Sequence, residues 1–222
     1  YVLANFPFSA DWPKDDLKDD KWDRFNWADK LPRADRGDYA FIMHIAKLLN
    51  DQGRAAVVVP HGVLFRTHER KYREAMIEED LLEAIIELPE NLFQSVSLPS
   101  AILVLNRKKG PKREGEVQFL YAADEQFYEE KSNYNDLTKE GRERVVTAFE
   151  SWSTKDRMCR TVSREEIAEN DYNLNISLYV DTTEPEEEID VTAELESLRE
   201  LQAERNKLET QITQHMEALN YE

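Results

Sequence analysis

The chain has 222 residues, 41% of them hydrophobic, enough for one sizeable buried core and an appendage. Its 46 acidic and 29 basic residues leave a formal charge of −17, the wrong sign for a general nucleic-acid binder, because affinity for a phosphate backbone rests on Lys and Arg. The single cysteine, Cys159, excludes an internal disulfide or a thiolate metal cluster and fits a reducing cytoplasm. No apolar run approaches the roughly 20 residues needed to cross a bilayer, and no stretch reads as a signal peptide.

Tyr1-Val2-Leu3-Ala4 reads as the end of a buried strand. With no initiator Met before it, the chain is expected to be a piece of something longer. Residues 11–38 are polar and mixed in charge but hold Trp12, Trp22 and Trp27, which predicts a long ordered loop. From Asp38 to Asn50, apolar residues at 41, 42, 45, 48 and 49 fall on one helical face, and Gly53 follows as a stop. Ala55-Ala56-Val57-Val58-Val59 is a continuous apolar run of the kind a covered parallel strand needs, and Pro60-His61-Gly62 ends it.

Residues 67–79 are predicted helical and 81–88 a strand. Two more strands, 100–106 and 117–121, flank the basic turn Arg107-Lys108-Lys109-Gly110-Pro111-Lys112-Arg113. Alternating strands and helices predict an α/β parallel sheet, with the last two strands pairing antiparallel at one edge. Beyond 123, residues 138–152 are predicted helical, Ser163-Arg164-Glu165-Glu166 resembles a capping box, and 172–180 is expected to be extended. After the acidic linker at 184–188, Val191, Leu198, Ile212 and Leu219 share one heptad position and Leu201 and Leu208 another, with Arg205 and His215 interrupting the seam. That is an amphipathic helix in need of a neighbouring helix. Three segments result: 1–123, 124–183 and 184–222.

The chemistry-bearing residues are Asn5, Phe6, Pro7 and Phe8, directly after a strand. Open α/β sheets bind ligands at the carboxyl ends of their strands. Methylation of an exocyclic amine requires the base to leave its stack and be gripped by its faces and edges. The Asn5 side-chain oxygen and the Phe6 carbonyl can each accept an N–H of the amine, and Phe8 can stack on the base. No base of unusual pKa is required, because a sulfonium donor is already a strong leaving group.

These four residues resemble the Asn-Pro-Pro-Phe motif of amino-methyltransferases, with Phe6 in place of the first proline and without that proline's rigidity. Gly37-Asp38-Tyr39-Ala40-Phe41-Ile42, the run from Gly53 to Phe65, Ile86-Glu87-Leu88-Pro89-Glu90-Asn91-Leu92-Phe93 and Asn170-Asp171-Tyr172-Asn173-Leu174-Asn175 are similar, in order and spacing, to modification subunits of type I restriction–modification systems. The resemblance covers nearly residues 1–180. It implies the carboxyl-terminal half of a Rossmann-like methyltransferase sheet with a helical tail, and adenine-N6 methylation of double-stranded DNA from S-adenosylmethionine. It also implies partnership with a specificity subunit and a restriction subunit, with no membrane. Asn5 is the one cofactor contact it implies here. The family's Gly-rich cofactor turn lies earlier than these residues, and the six glycines of the chain contain no Gly-x-Gly. This segment by itself is therefore expected to be inactive.

Arg66, Arg70, Lys71 and Arg73 follow a strand end and are the better candidates for DNA contact; the run 107–113 is either a solvated turn or a phosphate contact. The tryptophans either stack on bases or pin their loop. His44 reads as structural and His61 as a turn residue. With His68 and His215 lacking partners at ligand spacing, no metal site is expected. Two other functions compete: a protein-glutamine methyltransferase, which grips an amide in a similar way, and a catalytically decayed assembly module retained for its terminal helix.

Overall fold

In the computed structural model, which describes residues 1–93, 98–183 and 191–219, the apolar runs become a six-stranded sheet. The elements are β1 (Val2–Asn5), α1 (Asp38–Leu48), β2 (Arg54–Pro60), α2 (Arg70–Glu78), β3 (Leu82–Leu88), β4 (Ser100–Asn106) and β5 (Glu116–Tyr121). A two-stranded ribbon of β6 (Tyr128–Glu130) and β7 (Asn135–Leu137) follows, then α3 (Lys139–Ser151), β8 (Cys159–Ser163), α4 (Arg164–Glu169) and α5 (Val191–Ala218).

The sheet order is β1-β2-β4-β3-β5-β8. β1 and β2 are parallel, as are β3 and β5, while β4 runs antiparallel between β2 and β3. The sheet is buried on both faces. Val117, Phe119 and Ile85 join a cluster with α1, α2 and α4, whereas Ala84, Ile86, Leu88 and Leu120 join another with Ala148 of α3. Period-two alternation inside a doubly covered strand explains why these runs are apolar throughout.

The order departs from the expected one. One antiparallel strand, β4, sits in the middle of the sheet, a second, β8, lies antiparallel to β5 at its edge, and β4 and β5 do not pair, because β3 lies between them. Two buried strands carry no record of which neighbour each will choose. Here the connection is held across the start of β3 by ion pairs: Arg107 to Glu79, Lys109 to Asp80 and Arg113 to Glu83. The basic turn is therefore a brace, with Lys109 and the Glu83 carboxylate buried.

Three further elements escape a search for apolar runs. β6 and β7 are short and polar, and β8 adds to β5 as a strand of mixed polarity. Residues 172–180 are not extended. Asp171 and Tyr172 take left-handed φ of 55° and 52°, the Asn175 N–H donates to Asn173 Oδ1 at 3.0 Å, and a 3-10 turn runs from Ile176 to Leu178. The Asn side chains substitute for a ladder partner, as such residues do in turns. Ser163 does cap α4, accepting from the Glu166 N–H at 3.3 Å; the Glu166 carboxylate completes an ion pair with Arg160 instead of closing the box.

The chain divides into two compact units, Tyr1–Thr182 and Thr183–Glu222. Residues 124–182 belong to the first, since β8 extends its sheet. The acidic linker at 184–188 lies outside the described residues. α5 has 28 residues, and along it Leu195, Leu198, Leu201, Leu208, Ile212 and Met216 are each 44–62% exposed. Among the described residues, no helix is long and apolar enough to cross a membrane.

Candidate active site at the carboxyl edge of the sheet

β1, β2, β3 and β5 all end on the same edge. Asn5 pairs with Val58, Pro60 with Ser100, Leu88 with Ser100 and Glu87 with Tyr121. Asn5 is thus carried to the rim, where its side chain is exposed and makes no hydrogen bond among the described residues. Phe6 turns inward. Its ring is 8% exposed and stacked on Phe41 of α1, with centroids 4.8 Å apart and planes 12° apart. Burial of an aromatic side chain holds the backbone at the position where the related motif has a proline ring, so packing replaces a covalent constraint. Pro7 is exposed. Phe8 is half-buried and meets the Phe6 and Phe93 rings edge-on at 6.5 and 6.4 Å.

The loop is then pinned by Asp38, which lies outside the predicted site. Ser9 adopts φ 51°, a left-handed conformation that a non-glycine residue keeps only when held there. Its N–H donates to Asp38 Oδ1 at 2.7 Å, and Arg66 Nη1 donates to Asp38 Oδ2 at 2.8 Å. Asp38 is fully buried in the first turn of α1, where the helix dipole favours an anion. A Cβ on Gly62 would come within 2.6 Å of Arg66 Nε, so a larger residue at 62 would have to displace the Arg66 guanidinium. Asp38 thereby couples the loop after β1 to the turn after β2. Its sequence signal is an acid at the first helical position behind Gly37.

A second pair lies on the same rim. His61 Nε2 approaches Glu87 Oε1 at 3.4 Å, without hydrogen-bond alignment, and both side chains are largely buried. Burial lowers the His61 pKa and pushes the Glu87 carboxyl up to about 7, so each is driven toward its neutral form. Glu69, buried beside Arg66, is likewise pushed up to about 7, chiefly by burial. An acid inside an apolar strand is the sequence signal that points to Glu87.

The structure separates the four basic residues expected to contact DNA. The expectation for Arg73 is overturned: it is 2% exposed and donates to the carbonyls of Tyr172, Val63 and Arg66, a structural role. Arg66 is committed to Asp38 and Glu69. Arg70 and Lys71 reach the surface, each against acids: Glu74 and Asp171 for Arg70, and Asp29 for Lys71.

The tryptophans also divide. Trp12 is buried against Phe25, and its Nε1–H donates to the Arg33 carbonyl at 2.8 Å, pinning the loop. Trp27 packs partly buried on the core, while Trp22 is 60% exposed beneath Lys21. His44 lies against Arg24 at 3.3 Å. Among the described residues, no group of acids, histidines and cysteine could hold a metal ion. For S-adenosylmethionine, the open Asn5 amide fits the methyl-accepting side. No Gly-x-Gly turn is present in this chain to cradle the nucleoside.

A model of the N-6 DNA methylase family matches residues 1–188. The chain is 32% identical over 226 residues to the type I restriction enzyme MjaVII methylase subunit of Methanocaldococcus jannaschii, covering 99% of this chain and 39% of that protein. It is 32% identical over 213 residues to the MpnII methylase subunit of Mycoplasma pneumoniae, covering 95% of this chain and 38% of that one. Among solved structures, the methyltransferase subunit of a type I restriction–modification system from Streptococcus thermophilus superposes with a TM-score of 0.73 at 35% identity, over 82% of this chain and 38% of its own. The chain thus spans about two-fifths of the length of the curated relatives named here. With the model covering more than four-fifths of its residues and the sheet shared with a methyltransferase subunit, the chain belongs to the N-6 DNA methylase family, among relatives that are type I restriction enzyme methylase subunits.

Proposed function

We propose that this chain forms the target-base side of an adenine-N6 DNA methyltransferase, within the modification subunit of a type I restriction–modification system. The observation that carries this reading is the open Asn5 amide at the carboxyl edge, on a loop held by the buried Phe6 ring and by Asp38. The family match favours a DNA base over a glutamine amide as the acceptor, and the ordered rim disfavours a decayed module.

In this reading a flipped adenine enters at the rim. The Asn5 side-chain oxygen and the Phe6 carbonyl each accept one N–H of its exocyclic amine, which turns the nitrogen lone pair out of conjugation. Phe8 covers one face of the base, braced by Phe93. S-adenosylmethionine, when bound, supplies a methyl group on a sulfonium. The amine nitrogen held by Asn5 and the Phe6 carbonyl would accept that methyl group, and the proton it gives up would pass to water. The contribution of this chain is position. The exposed leucines of α5 are the docking surface for a specificity subunit, with a restriction subunit completing the assembly.

Methyl transfer from tritiated S-adenosylmethionine to duplex DNA by the intact methylase assembly tests the assignment. Asn5→Ala is expected to lower adenine-N6 labelling on the order of 10²-fold while cofactor binding persists. Undiminished labelling would remove Asn5 from the site.

A further inference from the structure

Because affinity for DNA rests on cations, the useful ones in a chain of charge −17 are those left unneutralised by the fold. The cations that follow β2 are mostly taken. A different set is mostly not. Lys14, Lys30, Arg33 and His68 line one cavity of about 350 Å³ between the loop 11–38 and the segment leading into α2, together with Glu69, whose carboxyl lies 3.6 Å from His68 and is driven toward its neutral form by burial. Arg36 stands at the neck of the same loop. Lys14, Lys30 and Arg36 have no acid within ion-pair distance among the described residues, and the Arg36 Nε is buried with no hydrogen-bond partner. Arg33 is paired only with the exposed Asp35.

The local field is positive. After burial, the largest influences holding the His68 pKa below its ordinary value are Arg36, Arg33, Arg66 and Arg73. The patch is also tied to the candidate site. The Gly37 N–H donates to the Ala10 carbonyl at 2.8 Å, and the Trp12 N–H to the Ala34 carbonyl at 2.9 Å, so the cationic neck starts two residues beyond Phe8.

We infer that Lys14, Lys30, Arg33 and Arg36 form a phosphate-binding surface that grips the DNA backbone beside the flipped nucleotide. The inference rests on the function proposed above and replaces Arg66 and Arg73 as its DNA contacts. It reconciles the acidic chain with a DNA substrate, since three unpaired cations and the Arg33 beside them act locally whatever the distant net charge, which salt screens beyond about 10 Å.

Binding of a labelled 20-bp duplex to the intact assembly, followed against salt concentration, tests it. Substituting Lys14, Lys30 and Arg36 together by Gln is expected to weaken binding and to reduce the slope of log K against log[salt] by about 1 for each lost contact. Substituting Lys108 and Lys112 by Gln, two exposed cations at the opposite edge, is expected to leave the slope unchanged. The Lys14→Gln, Lys30→Gln pair gives the same direction without touching the partly buried Arg36. An unchanged slope in the triple variant, or an equal loss in the Lys108, Lys112 variant, overturns the surface. Inorganic phosphate that displaces the duplex at constant ionic strength would reassign the cavity to a free anion and likewise overturn it. The slope is read without methyl transfer, so a failure here leaves the Asn5 result standing, and a failure of Asn5 leaves the slope interpretable.

Discussion

The two edges of one sheet treat charged side chains differently, while each keeps buried polar atoms without a hydrogen bond, Glu83 Oε2 and Asn106 Nδ2 at the amino edge and His61 Nε2 and Ser100 Oγ at the carboxyl edge. At the amino edge, Lys109 donates to Asp80 at 2.7 Å and to the Glu116 carbonyl at 2.8 Å, and Arg113 reaches the buried Glu83 while lying over Phe149 and Trp152. At the carboxyl edge, Asn5 is open, Arg36 is unpaired among the described residues, His61 Nε2 lies 3.4 Å from Glu87 without a hydrogen bond and Ser9 is held left-handed. Charged groups that neighbours pair hold a fold together, and an exposed side chain that the fold leaves open, such as Asn5, is available to a ligand. The amino edge is therefore expected to govern stability and the carboxyl edge function.

The largest effect on stability is expected from Arg113→Met. It leaves the Glu83 carboxylate buried without its ion-pair partner, which typically costs about 3–5 kcal/mol, and equilibrium denaturation reads it directly. Specific methylation per folded molecule should be untouched. A loss of activity without a loss of stability would break the contrast between the edges.

Next comes pH. The carboxyls of Glu69 and Glu87 are both raised from 4.5 to about 7 by burial. Their contribution is full below pH about 4.5, where the folded and unfolded states are both protonated, and is lost as pH rises through about 7. Unfolding free energy should fall across that window by on the order of 3 kcal/mol per group. Glu69→Gln and Glu87→Gln should flatten the fall. If the slope vanishes instead in high salt, general repulsion among the acidic residues is its source.

Asn5→Ala sharpens the same contrast from the other side. The exposed side chain makes no hydrogen bond in the fold, so stability should move by less than about 0.5 kcal/mol while methylation falls. The smallest effect on stability is expected in α5. Leu201→Glu with Leu208→Glu should leave the denaturation of Tyr1–Thr182 unchanged and weaken assembly with a specificity subunit, measured by sedimentation. Unaltered assembly would remove α5 as the docking surface.

Much of this was legible in residues alone. The run Ala55-Ala56-Val57-Val58-Val59 could only be a covered strand, the spacing of Ile42 and Ile45 determined α1, Thr138 and Ser163 announced helix starts, and the placement of residues 5–8 after a strand located the rim. These are local matters, governed by side-chain period, capping and turn chemistry, and a short stretch of sequence contains all of the physics involved. Only the tertiary structure decided that β4 would lie between β2 and β3, that Phe6 would brace the motif through Phe41, and that Asp38 would join the turns at Ser9 and Arg66. It also decided which cations are spent inside the fold and which remain for a partner: Arg73 and Lys109 look no different in sequence from Arg36 and Lys30. Strand order, burial and charge pairing depend on residues distant in the chain, and each is settled only when burial removes water and forces every polar group to find a neighbour or stay at the surface.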